Sequence, residues 1–172
     1  MKNLLFIFLA IVMVSCGGVE QKDYLPEYKE QVLSGKIGGK DWECKIGTIT
    51  MSKRDTVVNW SFNFSDNGDQ ETPCGFHNYN SAKAMFSSNK LEKGTTQLRL
   101  GFDFSKNQTL TLVYNQDLGK GPMNKIAGTG AYEILEIDTV TNNWIKGRMD
   151  VFIDDDNWIN GNFTANYCSK KE

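Results

Sequence analysis

Apolar and polar residues alternate with period two along much of this chain, which is the pattern of strands buried on one face. Val58, Trp60, Phe62 and Phe64 alternate with Asn59, Ser61 and Asn63. Leu98, Leu100, Phe102 and Phe104 repeat the pattern, as do Leu110, Leu112 and Tyr114. Upstream, residues 33–37 and 40–51 read as strands on either side of Gly38-Gly39, a pair that takes the positive φ angles of a tight hairpin turn without steric cost. Residues 126–138, 143–153 and 158–168 read as a meander. Polar clusters at 65–73, 105–108 and 115–125 separate the strands, the last reading as a mobile loop. Residues 74–88 are ambiguous, since Ala82, Ala84, Met85 and Phe86 suit a short helix or an edge strand. No stretch supports a helix longer than about two turns. The expectation is an all-β domain over residues 32–168, a single antiparallel β-sandwich or barrel-like fold of about eight to ten strands, with a short tail at 169–172.

The last hairpin permits a register. Ile145, Gly147, Met149, Val151 and Ile153 form one inward set, and Ile159, Gly161, Phe163, Ala165 and Tyr167 the other. Directly opposed residues share a face, so the sets meet only across an odd-numbered loop. A loop of Asp154-Asp155-Asp156 sets Met149 opposite Gly161 and Gly147 opposite Phe163, so that each large side chain gains a vacancy. The same register puts Phe152 opposite Trp158 on the more polar face, beside Lys146, Arg148, Asn160 and Asn162. That pair lies under another element or is exposed to a ligand.

The first sixteen residues follow no strand pattern. One early lysine, Lys2, precedes an apolar block from Leu4 to Val14 that is too short to span a ~30 Å hydrocarbon core and has the build of a secretory signal. Met13-Val14-Ser15-Cys16 resembles the lipobox of bacterial lipoproteins. The resemblance implies removal of residues 1–15 and a diacylglycerol on Cys16, which becomes the new N-terminus and anchors the protein to the membrane. Residues 16–31 are polar, contain Pro26 and read as a tether with room for one helical turn near residues 27–32. Gln21-Lys22-Asp23 resembles the Lys and acidic cluster that directs some bacteroidete lipoproteins to the cell surface. The outer membrane is therefore the expected location, on either face.

Composition narrows the function. The processed chain has 172 − 15 = 157 residues, enough for one domain with a core. Without Lys2, 18 basic side chains stand against 21 acidic ones, for a net charge near −3 with neither sign concentrated. That argues against a nucleic-acid partner. Besides Cys16 there are Cys44, Cys74 and Cys168, an odd number for an oxidising compartment. Cysteines in loops and near termini bridge more readily than one in mid-strand, so Cys74 with Cys168 is the favoured pair and Cys44 with Cys168 the alternative.

Other groupings are weaker as chemistry. Asp66, Asn67, Gly68, Asp69 and Glu71, like Asp154, Asp155, Asp156 and Asn157, offer oxygen ligands but not the EF-hand spacing. No Cys-x-x-Cys or second histidine is available for zinc, and no cofactor motif is present. His77 is the single histidine, and no Gly-x-Ser-x-Gly accompanies it. No catalytic residue is nominated. Paired carboxylates for glycoside hydrolysis stay open, because their pairing is spatial. Asp55-Thr56-Val57 and Asp138-Thr139-Val140 resemble the Asp-Ser/Thr-aliphatic acceptor of bacteroidete O-glycosylation, and both fall at expected turns, which makes Thr56 and Thr139 candidate glycan sites.

Gly128-Thr129-Gly130 before Tyr132-Glu133-Ile134, the run from Ile137-Asp138-Thr139 to Ile145-Lys146-Gly147, and Ile159-Asn160-Gly161-Asn162-Phe163 resemble small bacteroidete envelope lipoproteins of unknown function. Those end in a Gly-x-Phe hairpin followed by an Ile-x-Gly-x-Phe strand; here the first reads Gly147-Arg148-Met149. The resemblance implies a compact β-domain on the envelope and carries over no catalytic residues. The leading expectation is a non-catalytic binding or accessory module that contacts a glycan, a peptide or an outer-membrane assembly, with Trp144, Phe152 and Trp158 as candidate ligand-contact aromatics. The alternatives are an envelope hydrolase and a purely structural subunit.

Overall fold

The computed structural model describes residues 24–75, 81–100, 108–115 and 121–168. Cys16, the lipobox, His77, Phe102 and Phe104 lie outside them. The described part is all β: β1 (Ser34–Ile37), β2 (Lys40–Glu43), β3 (Ile46–Arg54), β4 (Val57–Ser65), β5 (Lys83–Ser88), β6 (Gly94–Gln97), β7 (Leu110–Asn115), β8 (Pro122–Ala127), β9 (Gly130–Asp138), β10 (Trp144–Asp154) and β11 (Asn157–Tyr167). They form one sheet in the order β6-β9-β10-β11-β3-β4-β5-β7-β8, with β1 and β2 branching from β11. Every pairing between named strands is antiparallel except β11 with β3, so the sheet is mixed.

Curling brings the two halves of the sheet together over an aromatic core. Phe62 on β4 stacks on Phe86 of β5 at 4.3 Å between ring centroids, and Phe86 meets Tyr132 of β9 at the same distance. Phe64 meets Phe163 of β11 at 4.8 Å. Strands far apart in the sheet order thus share one core, as a half-barrel requires. The period-two pattern of β4, β7, β10 and β11 set these faces correctly, because Phe62, Phe64, Leu110, Leu112, Ile145, Met149, Ile159 and Phe163 are all buried.

The register of the final hairpin is the expected one, with Met149 opposite Gly161, Gly147 opposite Phe163 and Phe152 opposite Trp158. The turn differs in detail. Asp154 pairs with Asn157, leaving a two-residue turn at Asp155 and Asp156, and a bulge between Phe152 and Asp154 absorbs the extra residue. Gly38 and Gly39, at φ 63° and 76°, make the expected tight turn between β1 and β2.

Four expectations are corrected. The single strand over 40–51 breaks at Cys44-Lys45, because β1 pairs with the first half of β11 while β3 pairs with its end, and the chain must step from one position to the other. Residues 74–88 hold an interior strand: β5 lies between β4 and β7, with Ala84 and Phe86 inward. The loop over 115–125 yields a strand at its far end, since β8 starts at Pro122 and pairs with β7 on one side only, where a missing N–H costs nothing. The strand expected through Leu98 and Leu100 is also interrupted. β6 ends at Gln97, Leu98 is buried and Leu100 is exposed.

Residues 24–31, read as tether, lie against the outer face of β10 and β11. Tyr24, Pro26 and Tyr28 are half-buried while Leu25, Glu27 and Lys29 are exposed. The Tyr24 hydroxyl and the Glu27 amide both donate to Asp150 Oδ2, at 2.9 and 2.8 Å, and the Lys29 amide donates to Asn160 Oδ1 at 2.9 Å. These amides are committed to β10 and β11, so no helical turn forms there. The Arg148 guanidinium stacks 4.3 Å from the Tyr28 ring, and Val32 bridges Asn162 in parallel.

Candidate functional site

Two turns and the strands β7 and β8 meet at one mouth of the half-barrel. The β1–β2 turn is held to the β10–β11 turn by two hydrogen bonds, from the Gly38 amide to Asn157 Oδ1 at 3.0 Å and from the Gly39 amide to the Asp156 carbonyl at 2.9 Å. Gly38 also rests on Tyr114 of β7 so closely that a Cβ would stand 2.5 Å from its ring. Positive φ and close approach both demand glycine at that position. Lys125 of β8 reaches Asp154 across the mouth at 3.6 Å.

These contacts enclose a cleft of about 750 Å³. The buried indole of Trp42 lies in its wall, fixed by donation from Nε1 to the Ala82 carbonyl at 3.0 Å. Tyr114 supplies a second aromatic ring, and Asp41, Asp66, Asp154 and Asp156 supply carboxylates, with Lys40 and Lys125 among them. Asn115 and Asn157 add amides. The Asn157 side chain, the Asp156 amide and Lys125 hold the Asp154 carboxyl below the usual carboxylate range. Asp66 behaves oppositely. Burial pushes its carboxyl up, and its Oδ1 is buried without a hydrogen-bond partner. Such a carboxyl keeps its proton to higher pH than that of Asp154. The cleft can therefore both accept and donate hydrogen bonds to a polar ligand.

The candidate aromatics divide between two places. Phe152 and Trp158 face each other across β10 and β11 and line a separate groove of about 480 Å³ on the outer face, with Lys29 Nζ 5.2 Å from the Trp158 ring centroid. Trp144 shares that face but stands eight residues along β10 from Phe152, ~27 Å away. Its ring carries Lys146 Nζ at 4.2 Å. The three do not make one platform.

Cys74 and Cys168 are joined in a disulfide with their Cα atoms 5.5 Å apart, and Cys44 is a free thiol. Burial pushes that thiol up to about 12, so it is a poor nucleophile. Thr56 is exposed in the two-residue turn between β3 and β4, after Asp55 at φ 54°, and Thr139 opens the turn between β9 and β10. Both turns lie at the end of the sheet where Trp144 pairs with Asp138 and Asn166, opposite the mouth.

The acidic turns spend their oxygens locally. Asp69 accepts from the Glu71 amide and the Thr72 hydroxyl, and Asp154 from the Asp156 amide and Asn157 Nδ2. Among the described residues no group of three or more His, Cys, Asp or Glu side chains is placed to hold a metal ion. No protein-family model, curated protein or solved structure significantly matches this chain.

Proposed function

We propose that this chain is a lipid-anchored protein of the bacterial outer membrane whose β-domain is a non-catalytic module that binds a glycan in the mouth cleft. The observation that carries the reading is the lining of that cleft, where carboxylates, lysines and amides converge beside the half-buried ring of Tyr114. Sugars offer hydroxyls that both donate and accept, and apolar ring faces that pack on aromatic side chains, so this lining suits them better than a purely apolar ligand. The lipobox at Met13-Val14-Ser15-Cys16 supports the anchor, and the turn positions of Thr56 and Thr139 support O-glycosylation there. The test is an amide-shift titration of the lipid-free domain with a panel of neutral and acidic oligosaccharides. Shifts at Tyr114, Asn115 and Asp156, weakened tenfold or more (about 1.4 kcal/mol) by Tyr114→Ala or Asp41→Ala, are expected. A panel that moves none of these amides overturns the reading.

One observation favours a second reading, an envelope hydrolase. Burial shifts the Asp66 carboxyl upward, the direction a general acid requires, in a cleft that holds other carboxylates. New reducing ends from a polysaccharide, abolished by Asp66→Asn, would establish it, and a ligand bound without turnover would exclude it.

A further inference from the structure

The outer-face groove beside Tyr24 has an unusual composition. Leu25 is 84% exposed and Phe152 is 48% exposed, and with Trp158 they line one shallow depression. Leu25 points outward from a segment whose Tyr24 and Tyr28 are half-buried against the sheet, and beside Phe152 it makes a contiguous exposed apolar patch rather than a single exposed side chain. Lys29 lies over the Trp158 ring. A tryptophan and a lysine bordering exposed leucine and phenylalanine make the side-chain set favoured where protein meets the headgroup level of a bilayer.

We infer that this groove rests on the membrane surface, with Leu25, Phe152 and Trp158 at the acyl–headgroup boundary. The inference depends on the anchored reading of Cys16. Tyr24 is eight residues from that cysteine, a leash of at most ~28 Å. The leash ends at the groove itself, where the Tyr24 hydroxyl is held by Asp150 and its carbonyl accepts from Gln97 Nε2 at 2.9 Å. A weak apolar contact suffices at the local concentration such a leash imposes. The occupant is lipid and not an anionic partner, because Glu27 and Asp155 line the same groove against Lys29. The contact is thus apolar and independent of anionic headgroups.

The test uses the acylated, processed protein in phosphatidylcholine vesicles, with part of the lipid brominated near the headgroup end of the acyl chain. Tryptophan quenching is expected that disappears in Trp158→Phe, persists in Trp144→Phe and falls to background in the double variant Leu25→Asp/Phe152→Asp. Protein that floats with the vesicles but shows no quenching assigned to Trp158 overturns the inference and leaves the anchor standing. Protein that does not float, with no diacylglycerol mass on Cys16, overturns the anchored reading and the inference with it.

Discussion

Asp150 on β10 and Asn160 on β11 face each other across the outer surface of the sheet, with Asn160 Nδ2 2.8 Å from Asp150 Oδ1, and both are buried. Their cover is the segment over residues 24–31. Asp150 Oδ2 takes the Tyr24 hydroxyl and the Glu27 amide, while Asn160 takes the Lys29 amide and donates to the Glu27 carbonyl. A polar pair in the middle of a strand hairpin thus serves as the clasp for the chain's entry.

Asp150→Ala should open that clasp. It leaves three donors without their acceptor, each of which costs ~1–3 kcal/mol while buried. The segment can lift and return them to water, so the expected net loss is about 2–3 kcal/mol. Urea denaturation measures the loss, and faster tryptic cleavage at Lys29 identifies the lifted segment. A cleavage rate equal to that of the native protein would show that other contacts hold it.

Gly147→Ala tests the pairing of small against large across β10 and β11. A Cβ at residue 147 would stand 2.5 Å from Cζ of Phe163 and 2.3 Å from the Glu133 carbonyl oxygen. The ring is fully packed and the carbonyl is backbone, so neither yields cheaply. The expected destabilisation is about 3 kcal/mol, at the upper end of overpacking costs. Phe163→Leu in the same background should recover part of it. A native midpoint for Gly147→Ala alone would refute the register argument.

The parts of the fold legible from sequence are those whose signal is local. The β10–β11 register followed from period two and from the match of Gly147 with Phe163 and Met149 with Gly161. The clasped segment was missed because its partners, Asp150 and Asn160, are more than a hundred residues away and it spends backbone amides on them. The alternation of Tyr24, Pro26 and Tyr28 with Leu25, Glu27 and Lys29 was the one available signal, and the outward Leu25 blurred it. β8 escaped because an edge strand beginning with a proline carries loop composition. The mouth cleft draws on β1, β2, β7, β8 and the β10–β11 turn together, and no local pattern announces such a meeting.

Cys44 gives the domain an alkaline limit. Burial raises its thiol from 9.0 to about 12. The folded state therefore keeps a proton that the unfolded chain sheds near pH 9. That contribution is fully present below pH 9 and is lost as the pH rises toward about 12, at up to ~1.4 kcal/mol per unit. Tyr24 and Tyr28 are raised too, first by burial, and add to the loss above about pH 10. Between pH 9 and 10 the slope belongs mainly to Cys44, so Cys44→Ala should flatten it there, as measured by denaturation at each pH. Alkylation of native Cys44 should be at least a hundredfold slower than that of a free thiol, and a comparable rate would contradict the burial argument.

The Cys74–Cys168 bridge closes the chain over a separation of 94 residues. The Cys168 end is held without it, since the Cys168 amide donates to the Ile49 carbonyl at 2.8 Å and Tyr167 pairs with Ile49. Removing the bridge should therefore leave the fold intact and act mainly on the unfolded chain, which regains the entropy of an open loop. The chain-entropy relation puts that at about 4.7 kcal/mol for this separation, and measured losses for native bridges run ~2–5 kcal/mol. Cys74→Ser/Cys168→Ser should thus lower the melting temperature by roughly 10 °C, at ~2–4 °C per kcal/mol for a domain of this size. The melting temperature of the native protein should fall equally when a reductant is added, while the double variant should not respond. A native protein indifferent to reductant would show that the bridge does not restrain the unfolded state.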